Sequence, residues 1–319
     1  MMKRARLALL IVPLALGCGG GSANSVTART STELTADQID ADPIALLPGS
    51  PIALGNVDAK AFFASETFGA TLGKLAEKYI PVGDQAGFVA SRDVDRVVAA
   101  SYSTQGLDVV AVAKGRFDSK KIGEAATSQT PMKDGNLLVV STYSGHTIYT
   151  IDNVGFTILT EHTAVVGTEA GMHRLLDRIH DGKKERAVSG WMLDTIETKD
   201  AAFGLAADFA SQSITSVAAG QMPVKFLKGT KAVRVVGAFK DTTTRLAGSI
   251  TYDTEDNAKA GEAGAKQLTT MANVASITGL VPRLDNLDIH TEKTSLQYQF
   301  DVDDQALRKL LQQIPNLTK

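Results

Sequence analysis

His173, Asp177 and His180 are the residues whose types and spacing best suit chemistry: they stand at i, i+4 and i+7. On a helix these positions share a face, and two imidazoles with a carboxylate can bind zinc. A second copy of the surrounding pattern argues against a metal, because the places of His173 and His180 are taken there by Arg308 and Pro315. Solvent-facing groups near a helix C-terminus, where cations are favoured, are the preferred account. Ser144-Gly145-His146 sets a hydroxyl beside an imidazole, but no Gly-x-Ser-x-Gly elbow surrounds Ser144, so a strand-connecting turn is expected. His162 occupies a Thr-Glu-x-Thr turn where the other copy has Lys293, and a surface turn tolerates either. Asp253, Glu255, Asp256 and Asn257 alternate partly like a calcium loop, whose sixth and twelfth places require Gly and Glu. Those places hold Ala258 and Gly264, so helix capping and first-turn acids are expected instead, as they are for Asp301, Asp303 and Asp304. Glycines form neither a Gly-x-x-x-x-Gly-Lys loop nor a strand-linked Gly-x-Gly-x-x-Gly. The expectation is a protein with no catalytic residue, no metal and no cofactor. The alternative is a hydrolase using polar turns of the first half, His146 and His162 among them.

One further residue has a chemistry of its own. Lys3, Arg4 and Arg6 make a basic start, Leu7 to Leu16 is an almost unbroken apolar run, and Gly17-Cys18 opens into Gly19-Gly20-Gly21-Ser22. The run is too short to cross a bilayer, which needs about 20 apolar residues, and its flanks are those of an export signal. Cys18, the only cysteine, lies where such a signal is cut. The stretch resembles the bacterial lipoprotein signal, although Ala15 and Leu16 look transposed against that pattern and only Gly17 matches in place. The resemblance implies lipidation of Cys18, which would then be the mature N-terminus, and Gly19 after it leans towards the outer membrane. Two lipid signals anchor firmly where one chain is marginal.

The 319 residues are 44% apolar and carry a formal charge of −2. Without Lys3, Arg4 and Arg6, 30 basic residues face 35 acidic ones, so the exported body is near −5, which argues against a nucleic-acid surface. With no cysteine beyond Cys18, the body has neither disulfides nor thiolate metal sites, and stability must come from packing. No later apolar run approaches membrane-spanning length.

The elements that must position these side chains run in order after the signal, residues 1–17. Residues 18–48, poor in large apolar side chains, are expected to be a flexible tether. Residues 49–182 should hold a strand near Ile52–Asn56, a helix from Asp58 to Tyr79, a hairpin of Arg96–Tyr102 and Leu107–Ala113, and a helix from Asp118 to Ser128. Four antiparallel strands between Leu137 and Gly167 and a helix Glu169–Asp181 complete them. Residues 183–199 link the halves through a short helix at Trp191, where packing is preferred to a binding role. Residues 200–319 repeat the order: strand Phe203–Asp208, helix Gln212–Gly220, hairpin Ala232–Phe239 and Arg245–Tyr252, helix Thr254–Val274, hairpin Leu284–His290 and Ser295–Val302, and helix Asp304–Ile314. Arg96-Val97-Val98 reappears as Arg234-Val235-Val236, and Met172, Leu175, Leu176 and Ile179 as Leu307, Leu310, Leu311 and Ile314. Each of the latter sets is one apolar stripe suited to a sheet. The expected fold is therefore α+β: two tandem βαββαββα-like repeats whose antiparallel sheets carry helices on one face.

In this order of elements, from about Gly49 to Ile314, the body resembles duplicated α+β proteins found among exported bacterial proteins and lipoproteins. The resemblance carries over no functional residue; it implies a binding or structural module of unknown ligand. The expected partners are a membrane, through Cys18, and an envelope protein or other envelope component.

Overall fold

Apolar and β-branched residues at every second place build a twelve-stranded antiparallel sheet from the described residues. Its strands are β1 (Ala53–Asp58), β2 (Val94–Ser101), β3 (Val109–Gly115), β4 (Val139–Tyr143), β5 (His146–Ile151), β6 (Val154–Ile158), β7 (Thr163–Thr168), β8 (Phe203–Asp208), β9 (Thr230–Lys240), β10 (Thr243–Tyr252), β11 (Leu284–Glu292) and β12 (Ser295–Asp303). This computed structural model describes residues 33–313 except 70, 72, 74–85, 129–137, 152, 212–226, 241 and 278–280. Cys18 and the expected helix at Gln212–Gly220 lie outside them. The described residues belong to one compact unit, and no described helix is long and apolar enough to cross a membrane.

The strand order is β11-β12-β10-β9-β8-β1-β2-β3-β7-β6-β5-β4. The two halves thus meet at β1 and β8, with Leu54 opposite Ala206 and Asn56 opposite Gly204, and share a single sheet. Register sorts the side chains into two faces. Leu54, Val98, Val110, Val112, Val165 and Ala206 fall on the first face and are fully buried. They are covered by α1 (Ala36–Ala41), α2 (Pro43–Leu46), α6 (Glu169–His180) and α7 (Gly190–Ile196). The apolar stripe of α6, Met172, Leu175, Leu176 and Ile179, is fully buried there; Thr168 caps the helix by accepting from the Gly171 amide.

Helices pack on both faces of the sheet, not on one as the layer pattern suggested. On the second face α5 (Ser119–Thr127) places Ile122 and Ala126 against Ala164, Tyr149 and Phe156. There too α8 (Glu255–Ser276) sets Ala258 against Ile289 and Leu296. α3 (Ala59–Ala64) places Phe62 with its ring centroid 5.8 Å from that of Phe203 and 5.0 Å from that of Phe239, and the one-turn α4 (Ala90–Asp93) leads into β2. A sheet closed at neither edge exposes two faces, and each half of this one is wide enough to need cover on both. The helix expected over Asp58–Tyr79 is interrupted after Ala64, where the Ser65 hydroxyl accepts from the amides of Thr67 and Phe68 and turns the chain; residues 69, 71 and 73 are helical again, and residues 74–79 lie outside the described ones.

The tether boundary is corrected as well. Residues 34–47 belong to the folded body, since Leu34, Ile39, Ile44, Leu46 and Leu47 are all buried in the first-face cluster. A capping box between Thr35 and Gln38 starts α1, and Asp42 with Pro43 starts α2. Asp40 pins α1 to the sheet: its carboxylate accepts from Lys114 Nζ at 3.0 Å, Thr160 Oγ1 at 2.7 Å and Thr163 Oγ1 at 2.5 Å. Burial works against the charge, but these three donors hold the carboxyl below its usual range.

Candidate functional site

A bowl of about 500 Å³ with polar side chains around an apolar floor lies on the first face where α7 ends. In the first half α6 seals this face, whereas α9 (Asp304–Gln313) is tied to residues of the second face. The Thr244 hydroxyl donates to Asp304 Oδ1 at 2.7 Å, and Arg308 reaches Glu66, beside the Phe68 ring, at 3.6 Å. Of the described helices α7 alone packs on the first face of β8 and β9, leaving the face of β10, β12 and β11 beyond it open as the bowl.

Alternation in the strands places its side chains. Arg234 on β9, Ser249 on β10 and Gln297 on β12 share one row, and Val236, Ala247 and Gln299 the next; β11 adds His290 opposite Gln297 and Asp288 opposite Gln299. The rim helix is held close: Asn56 Nδ2 donates to the Ile196 carbonyl at 2.9 Å, and a Cβ on Gly204 would stand 2.7 Å from Ile196 Cα. Only glycine lets α7 sit at this distance.

The Arg234 guanidinium lies 5.0 Å from the centre of the Trp191 ring, a cation–π contact that fixes its plane. Its side chain makes no hydrogen bond or ion pair among the described residues. His290 Nδ1 is 3.0 Å from Asp288 Oδ1, so the imidazole is oriented with Nε2 outward. Beneath the bowl, on the second face, Tyr298 crosses Gly248 and donates to the Arg234 carbonyl at 2.9 Å. Burial pushes that phenol up to about 12, so it stays a donor.

The same rows continue into Arg245 and Asp301, paired at 2.7 Å through Nε and Oδ1, with Asn286 Nδ2 donating to Oδ2 at 2.7 Å. The Arg245 hydrogen bond comes first among the causes that hold Asp301 down to about 2, against its burial. A carboxyl depressed from an ordinary value near 3.8 stabilises the fold above that value, and the contribution is lost as pH falls towards about 2. Thermal melts from pH 5 to pH 2 are therefore expected to fall more steeply for the natural chain than for Asp301→Asn. Parallel curves would remove this ion pair from the acid response.

No family's sequence pattern matches the chain, and no curated protein matches it. Solved structures do. The fold is similar to that of TP0453. Crystal form I superposes with a TM-score of 0.54 at 11% identity, covering 87% of this chain and 98% of that one. Form III gives 0.55 at 12%, covering 85% and 97%. At such identity the likeness to TP0453 concerns the fold.

The sequence candidates occupy other places. His146 Nε2 faces Glu33 Oε1 at 3.4 Å, whereas His162 Nδ1 faces the Gly115 carbonyl at 3.3 Å, so each has its own partner. His162 lines a second hollow of about 620 Å³ with Arg92, Asp93, Phe88 and Phe117. His173 stacks on Tyr143, ring centres 3.7 Å apart and planes within 6°, and the Tyr143 hydroxyl donates to Asp177 at 3.0 Å. That packing fastens the β4–β5 hairpin to α6, while His180 points to solvent. Ser144 and Gly145, both at positive φ, make the two-residue turn. Thr254 caps α8, with Glu255 and Asp256 in its first turn, and Asp303 accepts from the Ala306 amide at 2.7 Å to cap α9. Arg234, Ser249, Gln297 and Gln299 escaped the sequence reading. Their one signal was polarity at alternate places of otherwise apolar strands, which also describes any solvated sheet face.

Proposed function

We propose that this chain is an envelope lipoprotein, lipidated at Cys18 and held at a membrane, with the outer membrane the favoured one. Its body is a non-catalytic binding module whose ligand sits in the bowl. The observation that carries this reading is Arg234: a guanidinium oriented by Trp191 inside a concave site, its donors uncommitted among the described residues. Binding sites are typically concavities with a few fixed polar groups. The hydrolase alternative lacks a comparable feature, because His146 and His162 sit in separate pairings.

The two halves descend from one duplicated βαββαββα-like unit. Supporting this, the sheet reads β1-β2-β3-β7-β6 outward in one direction and β8-β9-β10-β12-β11 in the other. The hairpin β4–β5 is then an addition at one edge.

Fractionation of cells producing the natural chain and a Cys18→Ala variant tests the anchor. The natural chain is expected in the membrane fraction with an acylated N-terminal Cys18 by mass spectrometry, and the variant in the soluble fraction. A mature chain beginning elsewhere, or carrying no acyl mass, would refute it.

A further inference from the structure

Taking the bowl as the binding site, we infer that it receives a neutral polyhydroxylated ligand, one or two sugar rings in size. Its charges argue against an anion: Asp194 and Asp288 line the bowl together with Arg234, so a phosphate or carboxylate entering it would meet two like charges as well as one opposite one. The floor of Val236, Ala247 and Gly248 is apolar and the side chains around it are polar, so a ligand must satisfy both. A peptide strand cannot add across the floor of the bowl, because β9, β10 and β12 each already pair on both sides; only β11, at the rim, has an open edge.

What remains is a wall alternating donors and acceptors. Arg234 donates only, Asp194 accepts only, Gln299 does both, and His290 presents the nitrogen that Asp288 leaves free. Each hydroxyl of a sugar is itself donor and acceptor and can satisfy such neighbours in pairs. The apolar floor suits the C–H face of a ring, and about 500 Å³ is a small-ligand volume.

The test uses the full lipidated chain in a detergent without a sugar headgroup. N,N′-diacetylchitobiose, maltose and mannobiose are titrated by calorimetry, with sodium acetate, inorganic phosphate and dialanine as comparators. At least one disaccharide is expected to bind, about tenfold more weakly to Arg234→Ala and to Gln299→Ala, with melting temperatures preserved and no comparator competing. Binding by no disaccharide, binding indifferent to both substitutions, or displacement by acetate, phosphate or dialanine would overturn the sugar assignment. An Ala247→Trp variant, which fills the floor, separates this from failure of the bowl itself. If it loses the envelope material retained by the natural chain while no disaccharide binds, the ligand class is wrong and the site stands. If retention is unchanged, the site falls too.

Discussion

A chain cut back to Gly49 is expected to lose cooperative unfolding, although the cut removes only what composition presents as tether. Leu34, Ile39, Ile44, Leu46 and Leu47 each expose no more than 6% of their surface and form part of the main cluster. At roughly 1.5–3 kcal/mol per buried side chain, the five contribute on the order of 10 kcal/mol as an upper estimate. That is comparable with the whole stability of a domain, about 5–15 kcal/mol. The cut also removes the Asp40 carboxylate that ties α1 to Lys114, Thr160 and Thr163. A milder version is Leu46→Ala, expected to cost about 3 kcal/mol. Urea titration followed by far-ultraviolet circular dichroism measures both. A truncated chain with the natural midpoint would mean that these helices contribute nothing to the fold.

The reason this segment reads as tether is physical. α1 has six residues and α2 four, too short for a helical period to show, and apolar residues are sparse before Ile44. The legible trace was in the caps, Thr35 with Gln38 and Asp42 with Pro43, and not in the hydrophobicity. Elements with a full period were legible: α6 runs Glu169–His180 where Glu169–Asp181 was expected, and α8 Glu255–Ser276 where Thr254–Val274 was. Strands were legible through alternation, down to Phe203–Asp208. Alternation does not say which face of a strand will be covered, however, because that depends on where distant helices settle. The side chains of the bowl alternate as a solvated face would, and only the course of α7 and α9 turns them into a concavity.

That divergence between the halves yields the second large effect. The stripes of α6 and α9 have the same spacing in sequence, so their substitutions would be expected to cost alike. Met172 is fully buried against the first face, and Met172→Ala is expected to cost about 2–5 kcal/mol in lost burial and cavity. Leu307 takes the place that Met172 fills in the first half, but it is only half-buried, and α9 is tied to Thr244 and Glu66 on the other side of the sheet. Leu307→Ala is therefore expected to cost about 1 kcal/mol. Equal losses in matched urea titrations would mean that both closing helices seal their halves alike. Unequal losses follow if a duplicated closing helix has left one sheet face, since the surface it no longer covers is then free to line a binding site.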